Sequence, residues 1–384
     1  MSGHAKLSPS SAARWMSCPG SVTLSEGIED KSSKNADEGT MMHYFAASCL
    51  ETGVDAVDYI GVACEDTGLR LNEKQAKDVQ FYVDHVREIV ASTGGTLMVE
   101  QRLPIGWMTG EVGAHGTADA VIVTPDELII VDAKFGYKLV DADDNPQLMI
   151  YAAAACDELK VAYDFQRVRI AISQPRLLAK PEFTFSMAEL YGFIEQVGAS
   201  AEQVRSDPDK YVPSNKACQW CRAKPICPAL RQQVMDAFDE STPLADVRDD
   251  KLAYVMDRAD MIEGWIKSIR AEVERRLLAG EPVTGYKLVQ GKRGNRMWAD
   301  PTVAEATLKG MRVKHDQMYD YKLASPTSIE KLVKAEEIGP RQWAKIQALI
   351  TQSEGQPSVA PESDKRPALV TSAAASDFDD VTSL

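Results

Sequence analysis

The sequence predicts an α/β fold in which a mixed central sheet is flanked by helices, followed by a mainly helical C-terminal extension. Three observations lead to this prediction. Apolar residues at helical spacing precede a series of β-rich segments, one of those segments is a fully apolar run, and further helical segments enclose the strand that follows. Strands enclosed by helices along the chain are typical of a sheet covered by helices.

The N-terminal part of the chain is predicted to be helical. Ser8 and Pro9 are typical of a helix start, because a capping residue precedes proline at the first helical position. A second helix is predicted over about 37–50 and a third over about 72–91. The third has an apolar stripe at helical spacing, formed by Val79, Tyr82, Val83, Val86 and Val90.

Three β-rich segments follow, over 96–103, 111–123 and 127–135, and turn-forming residues divide them. The third segment contains the run Leu-Ile-Ile-Val, which is typical of a central strand buried on both faces. A helix over 147–160, a strand over 166–173 and a helix over 186–205 complete the predicted core.

The remainder of the chain divides into an extension and a tail. A long amphipathic helix is predicted over 249–278, then a basic β-ribbon over 285–298, which is either a DNA clamp or an ordinary hairpin, then two or three helices. We therefore expect a core of residues 1–235, an extension of residues 240–352 and a tail of residues 353–384. The tail is polar, rich in small residues and interrupted by prolines, which predicts disorder.

Composition narrows the class of protein. The chain has 384 residues, 44% hydrophobic and 26% charged, as in soluble globular proteins. The sequence has no apolar run long enough for a transmembrane helix and no apolar core of a signal peptide near residue 1, so a cytoplasmic location is expected. A formal net charge of −14 argues against coating nucleic acid by bulk electrostatics, but it leaves a local basic strip open.

Residues that can carry chemistry lie at the end of the apolar strand. Asp132 and Lys134 are two residues apart and therefore project from one face of that strand. Asp119 interrupts the β pattern of the preceding segment, and a hairpin would bring it close to Asp132. Two carboxylates on adjacent strands suit Mg²⁺ or Mn²⁺, and a nearby lysine can act on the attacking water. The alternative is a simple Asp–Lys ion pair at a strand end.

The cysteines form a second pattern. The total of seven is odd, which argues against a disulfide framework. Cys218, Cys221 and Cys227 have the spacing C-x2-C-x5-C, and Cys18 lies about 200 residues earlier. Thiolates hold iron–sulfur clusters, and four cysteines also form structural zinc sites. Spacing alone leaves both interpretations open, together with four unrelated buried thiols.

The order of these motifs resembles the PD-(D/E)XK nucleases. It is most similar to the RecB-type branch, which includes the CRISPR-associated iron–sulfur nucleases and the nuclease domain of AddB, over about residues 1–235. The matching motifs are G-x-x-x-H ending at His43, G-x-x-D ending at Asp119, D-x-K at Asp132 and Lys134, and Q-x-x-x-Y at Gln147 and Tyr151. One departure is that Asp132 stands where the motif often has Glu.

This resemblance implies a restriction-endonuclease-like core with the activity of a metal-dependent deoxyribonuclease, and an exonuclease is expected. His43, Asp119, Asp132 and the Ala133 carbonyl would bind Mg²⁺ or Mn²⁺. Lys134 would orient the water, and Gln147 and Tyr151 would hold the site or the DNA backbone. The resemblance also implies a structural [4Fe–4S] cluster, with Zn²⁺ as the alternative, on Cys18, Cys218, Cys221 and Cys227.

A finer resemblance covers nearly the full length. The segments HAKLSPSSAARWMSCPGS, EGTMMH, GTADAV and PESDKRPAL resemble those of an uncharacterised phage and prophage family. This implies a phage recombination or repair enzyme in the host cytoplasm, with DNA as its partner. The acidic stretch at 377–380 resembles the tips by which bacterial single-strand-binding proteins recruit partners. It suggests a single-strand-binding or annealing protein as a further partner, and the alternative is a solubilising tail with no partner, while oligomer formation stays open. The alternatives are a catalytically silent DNA-binding or recombination-mediator protein and a zinc-stapled scaffold.

Overall fold

The computed structural model describes residues 5–28, 34–239, 249–287, 301–311, 314, 318–319, 325–335 and 337–350. They belong to two compact units, Met1–Gln290 and Gly291–Leu384. The first unit contains the sheet and every site residue that the sequence predicts. In the second unit the described helices are α8 (Pro301–Gly310), α9 (Pro326–Lys334) and α10 (Pro340–Gln347).

A five-stranded mixed sheet forms the centre of the first unit. The strands are β1 (Thr96–Pro104), β2 (His115–Val123), β3 (Glu127–Ala133), β4 (Arg167–Ser173) and β5 (Glu182–Ser186), and they lie in this order across the sheet. Neighbouring strands are antiparallel, except that β3 and β4 are parallel. The crossover between β3 and β4 contains one long helix, as parallel pairing requires.

Helices cover both faces of the sheet. The longer helices of the first unit are α1 (Lys34–Thr52), α2 (Glu73–Thr93), α3 (Pro146–Leu159), α4 (Met187–Ser206), α5 (Pro228–Asp239), α6 (Asp249–Met256) and α7 (Ala259–Leu278). Alternate residues of β3 enter two separate cores: Leu128 and Ile130 pack with α3 and α4, whereas Ile129 and Val131 pack with α1 and α2. The predicted class is confirmed, and every residue of β3 is buried.

The structure differs from the sequence prediction in three local features. β5 was not predicted, because its five residues are too short to establish a pattern. Residues 111–114 form a turn rather than part of β2. The helix predicted over 249–278 is divided into α6 and α7 around Arg258, where Asn215 Nδ2 donates a hydrogen bond to the Asp257 carbonyl. No glycine or proline marks this break in the sequence.

Parts of the predicted C-terminal organisation lie outside the described residues. These are most of the basic ribbon, from residue 288 to 298, and the tail from residue 351, including the acidic tip. Of the helices in the described part of the chain, none is both long and apolar enough to cross a lipid bilayer.

Gly116 permits a close approach between β2 and two neighbouring elements. A Cβ atom at this position would lie 2.7 Å from Pro9 Cγ and 2.8 Å from Tyr151 Cε1. Because both neighbours are held in the core, we expect Gly116→Ala to destabilise the fold by about 1–3 kcal/mol. Denaturant unfolding measures this change.

Gly136→Ala is the matched control, because a Cβ atom there meets nothing within 4 Å. Equal unfolding midpoints for the two variants would contradict the close packing of β2 against Pro9 and Tyr151.

Candidate functional site

A cleft of about 690 Å³ opens between α1 and the ends of the central strands. Its lining includes a group of polar and ionisable side chains near the strand ends: His43, Glu100, Asp119, Asp132, Lys134 and Gln147. The structure therefore brings together in one cleft side chains from α1, β1, β2, β3 and α3, with Lys134 directly following β3.

The β2–β3 hairpin places Asp119 beside the end of β3. Its register pairs Ala120 with Val131, so the next position along each strand brings Asp119 opposite Asp132. The Ala133 N–H donates a hydrogen bond of 2.8 Å to Asp119 Oδ2. The hairpin that the sequence predicts thus has the register that joins the two carboxylates.

Asp132 is the most buried charged group of the site, with only 2% of its surface exposed. Lys134 Nζ lies 2.6 Å from Asp132 Oδ2, and Gln147 Nε2 donates to Asp132 Oδ1 at 3.2 Å. Gln147 Oε1 in turn accepts a hydrogen bond of 3.1 Å from Lys134 Nζ. Despite the short distance to the lysine, Asp132 Oδ2 has no well-directed hydrogen bond from the described residues. The Lys134 ammonium is thus the neighbouring group that compensates the charge on this buried oxygen.

Tyr151 lies one turn beyond Gln147 on α3, as the four-residue spacing predicts. Gln147 Nε2 donates to the Tyr151 hydroxyl at 3.5 Å, and burial together with the Asp132 carboxylate raises the pKa of this tyrosine. Its hydroxyl therefore stays protonated, and it touches the amide that bridges Asp132 and Lys134.

His43 reaches the site from α1. Its Nδ1 lies 3.3 Å from Asp119 Oδ2, and its ring packs edge-on against Phe135 at a centroid distance of 5.2 Å. Burial by itself would lower the pKa of His43, but the Asp119 carboxylate raises it above its ordinary value. The packing of the ring fixes the position of Nδ1. A cation bound to this nitrogen would take the place of its proton.

Glu100 faces Asp119 across the β1–β2 hairpin and has a left-handed backbone, with φ of 47°. Such a backbone is uncommon for a residue other than glycine, and strain of this kind concentrates at functional sites. One side-chain ligand atom each from His43, Glu100 and Asp119 lie within 4.8 Å of one another. Desolvation of the Glu100 carboxylate in the cleft, reinforced by Asp119, raises its pKa to about 7. The three side chains form a cation-sized set of N and O ligands.

The irregular pair of Glu100 and Asp119 also changes which residues face the cleft. Ala118 and Val121 both pack in the core with α3, although they are three residues apart on β2. A regular strand alternates faces with every residue, so its alternation shifts by one position between them. As a result Asp119 and Ala120 both lie on the side of α1 and α2.

The charges of the site favour a protonated Lys134. Burial alone would lower the pKa of the lysine, yet the neighbouring Asp132 carboxylate raises it. Burial raises the pKa of Asp132, whereas His43 and Lys134 overcome the effect of burial on Asp119 and lower its pKa. A charged lysine can orient water and neutralise developing negative charge, but it cannot accept a proton.

Glu100 lines the cleft, and Tyr82 lies close enough to its carboxylates for their charge to act on it, although the sequence motifs contain neither residue. The Tyr82 hydroxyl on α2 is buried without a hydrogen-bond partner among the described residues, and burial with the Asp119 and Asp132 carboxylates raises its pKa. In the sequence Tyr82 is one member of an apolar stripe, and its hydroxyl is the only polar group there. That hydroxyl is a weak signal, since most such tyrosines only fill a core.

The four predicted cysteines meet at a second location, in one small cavity that Ser21 also lines: Cys18, Cys218, Cys221 and Cys227. All four are free thiols. The Val212 N–H donates to Cys18 Sγ at 3.2 Å, and this contact joins residues 194 positions apart. The Leu230 N–H lies 3.4 Å from Cys227 Sγ as a second donor. Both sulfurs are therefore held in place by the backbone, although burial outweighs the backbone donors and raises the pKa of the Cys227 thiol.

Two further observations suit a group held by these sulfurs. The Ser21 hydroxyl is buried to 3% exposure and has no hydrogen-bond partner within the described part of the chain. Burial, with the neighbouring sulfurs, raises the pKa of Cys218 to about 11, and burial also raises the pKa of Cys227, so a cationic group would be needed to ionise these two thiols. The cavity thus combines four sulfur ligands with an unused hydroxyl.

Helix α7 covers this cavity, which no feature of the sequence indicated. Met261 is buried against Cys227 and Leu230, and Trp265 packs on the same cluster. An amphipathic helix has an apolar face, but its sequence does not say which element that face meets.

Comparison with known proteins places the chain in a family. The family model described as "Protein of unknown function (DUF2800)" matches residues 4–367. A solved structure described as "Crystal structure of SSO0001" is 13% identical, with 55% of this chain and 94% of that chain covered and a TM-score of 0.24. At that TM-score the likeness carries no argument about function.

The predicted role of Glu100 in holding a cation is tested by Glu100→Gln. This variant keeps the shape of the side chain and removes the charge. Loss of a residue that only supports the metal ligands typically weakens metal affinity 10- to 100-fold, and loss of a ligand should cost at least as much. We therefore expect Mn²⁺ affinity to fall by at least about tenfold. Calorimetric titration with Mn²⁺ in the absence of DNA measures it.

Glu51→Gln is the matched control, because Glu51 lines the same cleft but does not belong to the three-residue set. If the two variants bind Mn²⁺ equally well, Glu100 is not a ligand.

Loss of Cys18 should remove the group that the four sulfurs hold. We expect Cys18→Ser to lose bound iron or zinc and to lower the melting temperature, since metal binding free energy contributes directly to folding. Metal and sulfide analysis, visible absorption and thermal unfolding measure these effects.

Cys156→Ser provides the comparison for Cys18→Ser, because Cys156 is buried at α3 and lies outside the four-cysteine cavity. Equal metal content and equal melting temperature in both variants would show that Cys18 is not a ligand of bound iron or zinc.

Proposed function

The chain belongs to the family of proteins of unknown function DUF2800, and we propose that it is a divalent-metal-dependent deoxyribonuclease that hydrolyses phosphodiester bonds in the cleft. The observation that carries this proposal is the buried Asp132 oxygen that lacks a directed hydrogen bond, beside Asp119 and Lys134. The resemblance of the motifs to the PD-(D/E)XK nucleases supports it and favours an exonuclease of phage recombination or repair.

The donor set suits a hard cation. His43, Asp119, Asp132 and the Ala133 carbonyl would hold Mg²⁺ or Mn²⁺, with Glu100 as a further ligand. When bound, such a cation supplies charge stabilisation to the reacting phosphate and lowers the pKa of a water molecule. Without a cation, the carboxylates in the cleft repel one another and also repel the phosphates of DNA. A bound divalent cation would reduce both repulsions.

The protein's own groups orient the reaction. Lys134 carries a positive charge next to the attacked phosphate and directs a water molecule with its remaining N–H donors. Gln147 bonds to both Asp132 and Lys134, so it fixes the angle between the carboxylate and the ammonium. Tyr151 holds that amide from behind, and its protonated hydroxyl is also able to donate to a phosphate oxygen. Gln147 and Tyr151 therefore position the groups that act on the substrate.

We propose that the four-cysteine cavity holds a [4Fe–4S] cluster with a structural role. Its ligands come from the N-terminal turn after Trp15 and from residues 218–227, so the group would join two distant parts of the first unit. Closure of so long a loop contributes to stability because it reduces the freedom of the unfolded chain. Zinc is the alternative, and the visible absorption of freshly purified protein separates the two.

Asp132→Asn and Lys134→Met should each reduce DNA cleavage by about 10²-fold or more, because each removes a charge that acts on the reacting phosphate or its water. Folding should be retained, since the substitutions preserve the approximate volume. Release of label from end-labelled single- and double-stranded DNA with Mg²⁺ or Mn²⁺ measures cleavage, and circular dichroism checks the fold.

Asp164→Asn is the control, as it removes one carboxylate from an exposed loop after α3. A wild-type rate in Asp132→Asn would refute the assignment of the site. A wild-type protein that binds DNA but never cuts it would instead support the silent DNA-binding alternative.

A further inference from the structure

A second groove, of about 590 Å³, lies beside the cleft on the β1–β2 hairpin. Its walls include Arg102, Trp107, Val112 and His115, with three glycines between them. We call this surface the Trp107 groove. It contains none of the residues assigned above to the cleft.

The Trp107 groove and the cleft lie on one face of the hairpin. His115, Thr117 and Asp119 alternate along β2 and so share a face, and Arg102 is directly opposite Thr117. Thr117 and Asp119 line the cleft, whereas His115 and Arg102 line the groove. The four residue-to-residue steps from His115 to Asp119 span about 13 Å. A continuous surface therefore runs from the carboxylates to Trp107.

The loop that carries Trp107 is held firmly. Arg205 Nη1 donates a hydrogen bond of 2.6 Å to the Thr109 carbonyl, and the Glu111 carboxylate accepts from the backbone N–H groups of Lys6 and Leu7. A Cβ atom at Gly106 would lie 2.5 Å from the Glu111 carbonyl oxygen, so the loop closes tightly on itself. Trp107 is thus presented by a fixed turn.

The exposed groups of the groove suit an unpaired nucleotide. Trp107 leaves 48% of its surface exposed, and Val112 is fully exposed at the rim. Arg102 is exposed and lies 3.0 Å from His115 Nδ1, which holds the guanidinium over the groove. An aromatic face for a base, next to a cation for its phosphate, is how proteins bind single strands without sequence preference. In a duplex both faces of each internal base are already stacked on neighbouring bases, so no base face is free to stack on Trp107.

We propose that the Trp107 groove binds unpaired nucleotides of the DNA strand whose phosphate enters the cleft, with one base stacked on Trp107 and a phosphate paired with Arg102. This inference rests on the proposed nuclease function, and it names single-stranded DNA as the substrate class. The groove provides the local positive and aromatic surface that a chain with a net charge of −14 needs to hold a polyanion.

The test measures the affinity of Trp107→Ala for DNA by fluorescence anisotropy in the Asp132→Asn background. The probes are a labelled oligothymidylate and a blunt duplex of the same length. Loss of one stacked base should weaken oligothymidylate binding roughly 5- to 150-fold and leave duplex binding unchanged. Trp107→Phe, which keeps an aromatic face, should restore most of the affinity.

Arg102→Gln should weaken binding of the oligothymidylate and reduce the slope of log affinity against log salt by about one. Arg70→Gln is the control, because Arg70 is an exposed arginine on a loop outside both cavities. Circular dichroism of each variant confirms that the fold is retained.

If Trp107→Ala binds oligothymidylate with wild-type affinity, the proposal that the Trp107 groove binds unpaired nucleotides is wrong, while the assignment of the cleft is unaffected. Equal weakening of both probes would also overturn it, because a duplex offers no free base to stack. Failure of the parent protein to bind either probe, together with failure of the wild type to cleave DNA, would overturn the proposed function itself.

Discussion

A single irregular pair in the β1–β2 hairpin determines which side chains reach the cleft. The left-handed backbone of Glu100 shifts the alternation of both strands by one residue at the position of Asp119. Without that shift, the residues that pack against α3 at one end of the hairpin would have to point away from it at the other. The shift lets both ends bury their apolar residues and leaves two carboxylates facing α1. The strain is held because regular pairing continues on both sides of it.

The burial of Asp132 imposes the second constraint. A carboxylate at the end of a strand that is covered on both faces loses its water, which costs several kcal/mol unless other groups compensate. Lys134 and Gln147 compensate in part: Lys134 directly follows β3, whereas Gln147 comes from α3. One oxygen still lacks a directed partner. A cation site needs carboxylates whose negative charge is only partly compensated before the cation binds. If other groups compensated the charge fully, a bound cation would gain little electrostatic free energy.

The cysteine cavity shows how the two ends of the first unit depend on each other. The turn after Trp15 and the segment up to Leu230 meet there through sulfur and backbone contacts, and α7 closes over them. This places the short helical segment over 9–15 against α3, with Pro9 beside Gly116 and the Tyr151 ring. A loss of ligands at the cavity would therefore loosen an element that supports the cleft, although the cysteines touch no residue of the cleft directly.

Features that local periodicity encodes could be predicted from the amino-acid sequence. The apolar run of β3, the shared face of Asp132 and Lys134, and the four-residue spacing of Gln147 and Tyr151 each follow from the repeat of one strand or helix. The cysteines were identifiable because few other residue types offer a sulfur ligand. Features that depend on register and on packing between distant segments could be identified only from the folded chain. The left-handed backbone of Glu100, the position of Tyr82, the cover formed by α7 and the Trp107 groove are of this kind, because each arises where elements far apart in sequence meet and none leaves a repeat within its own segment.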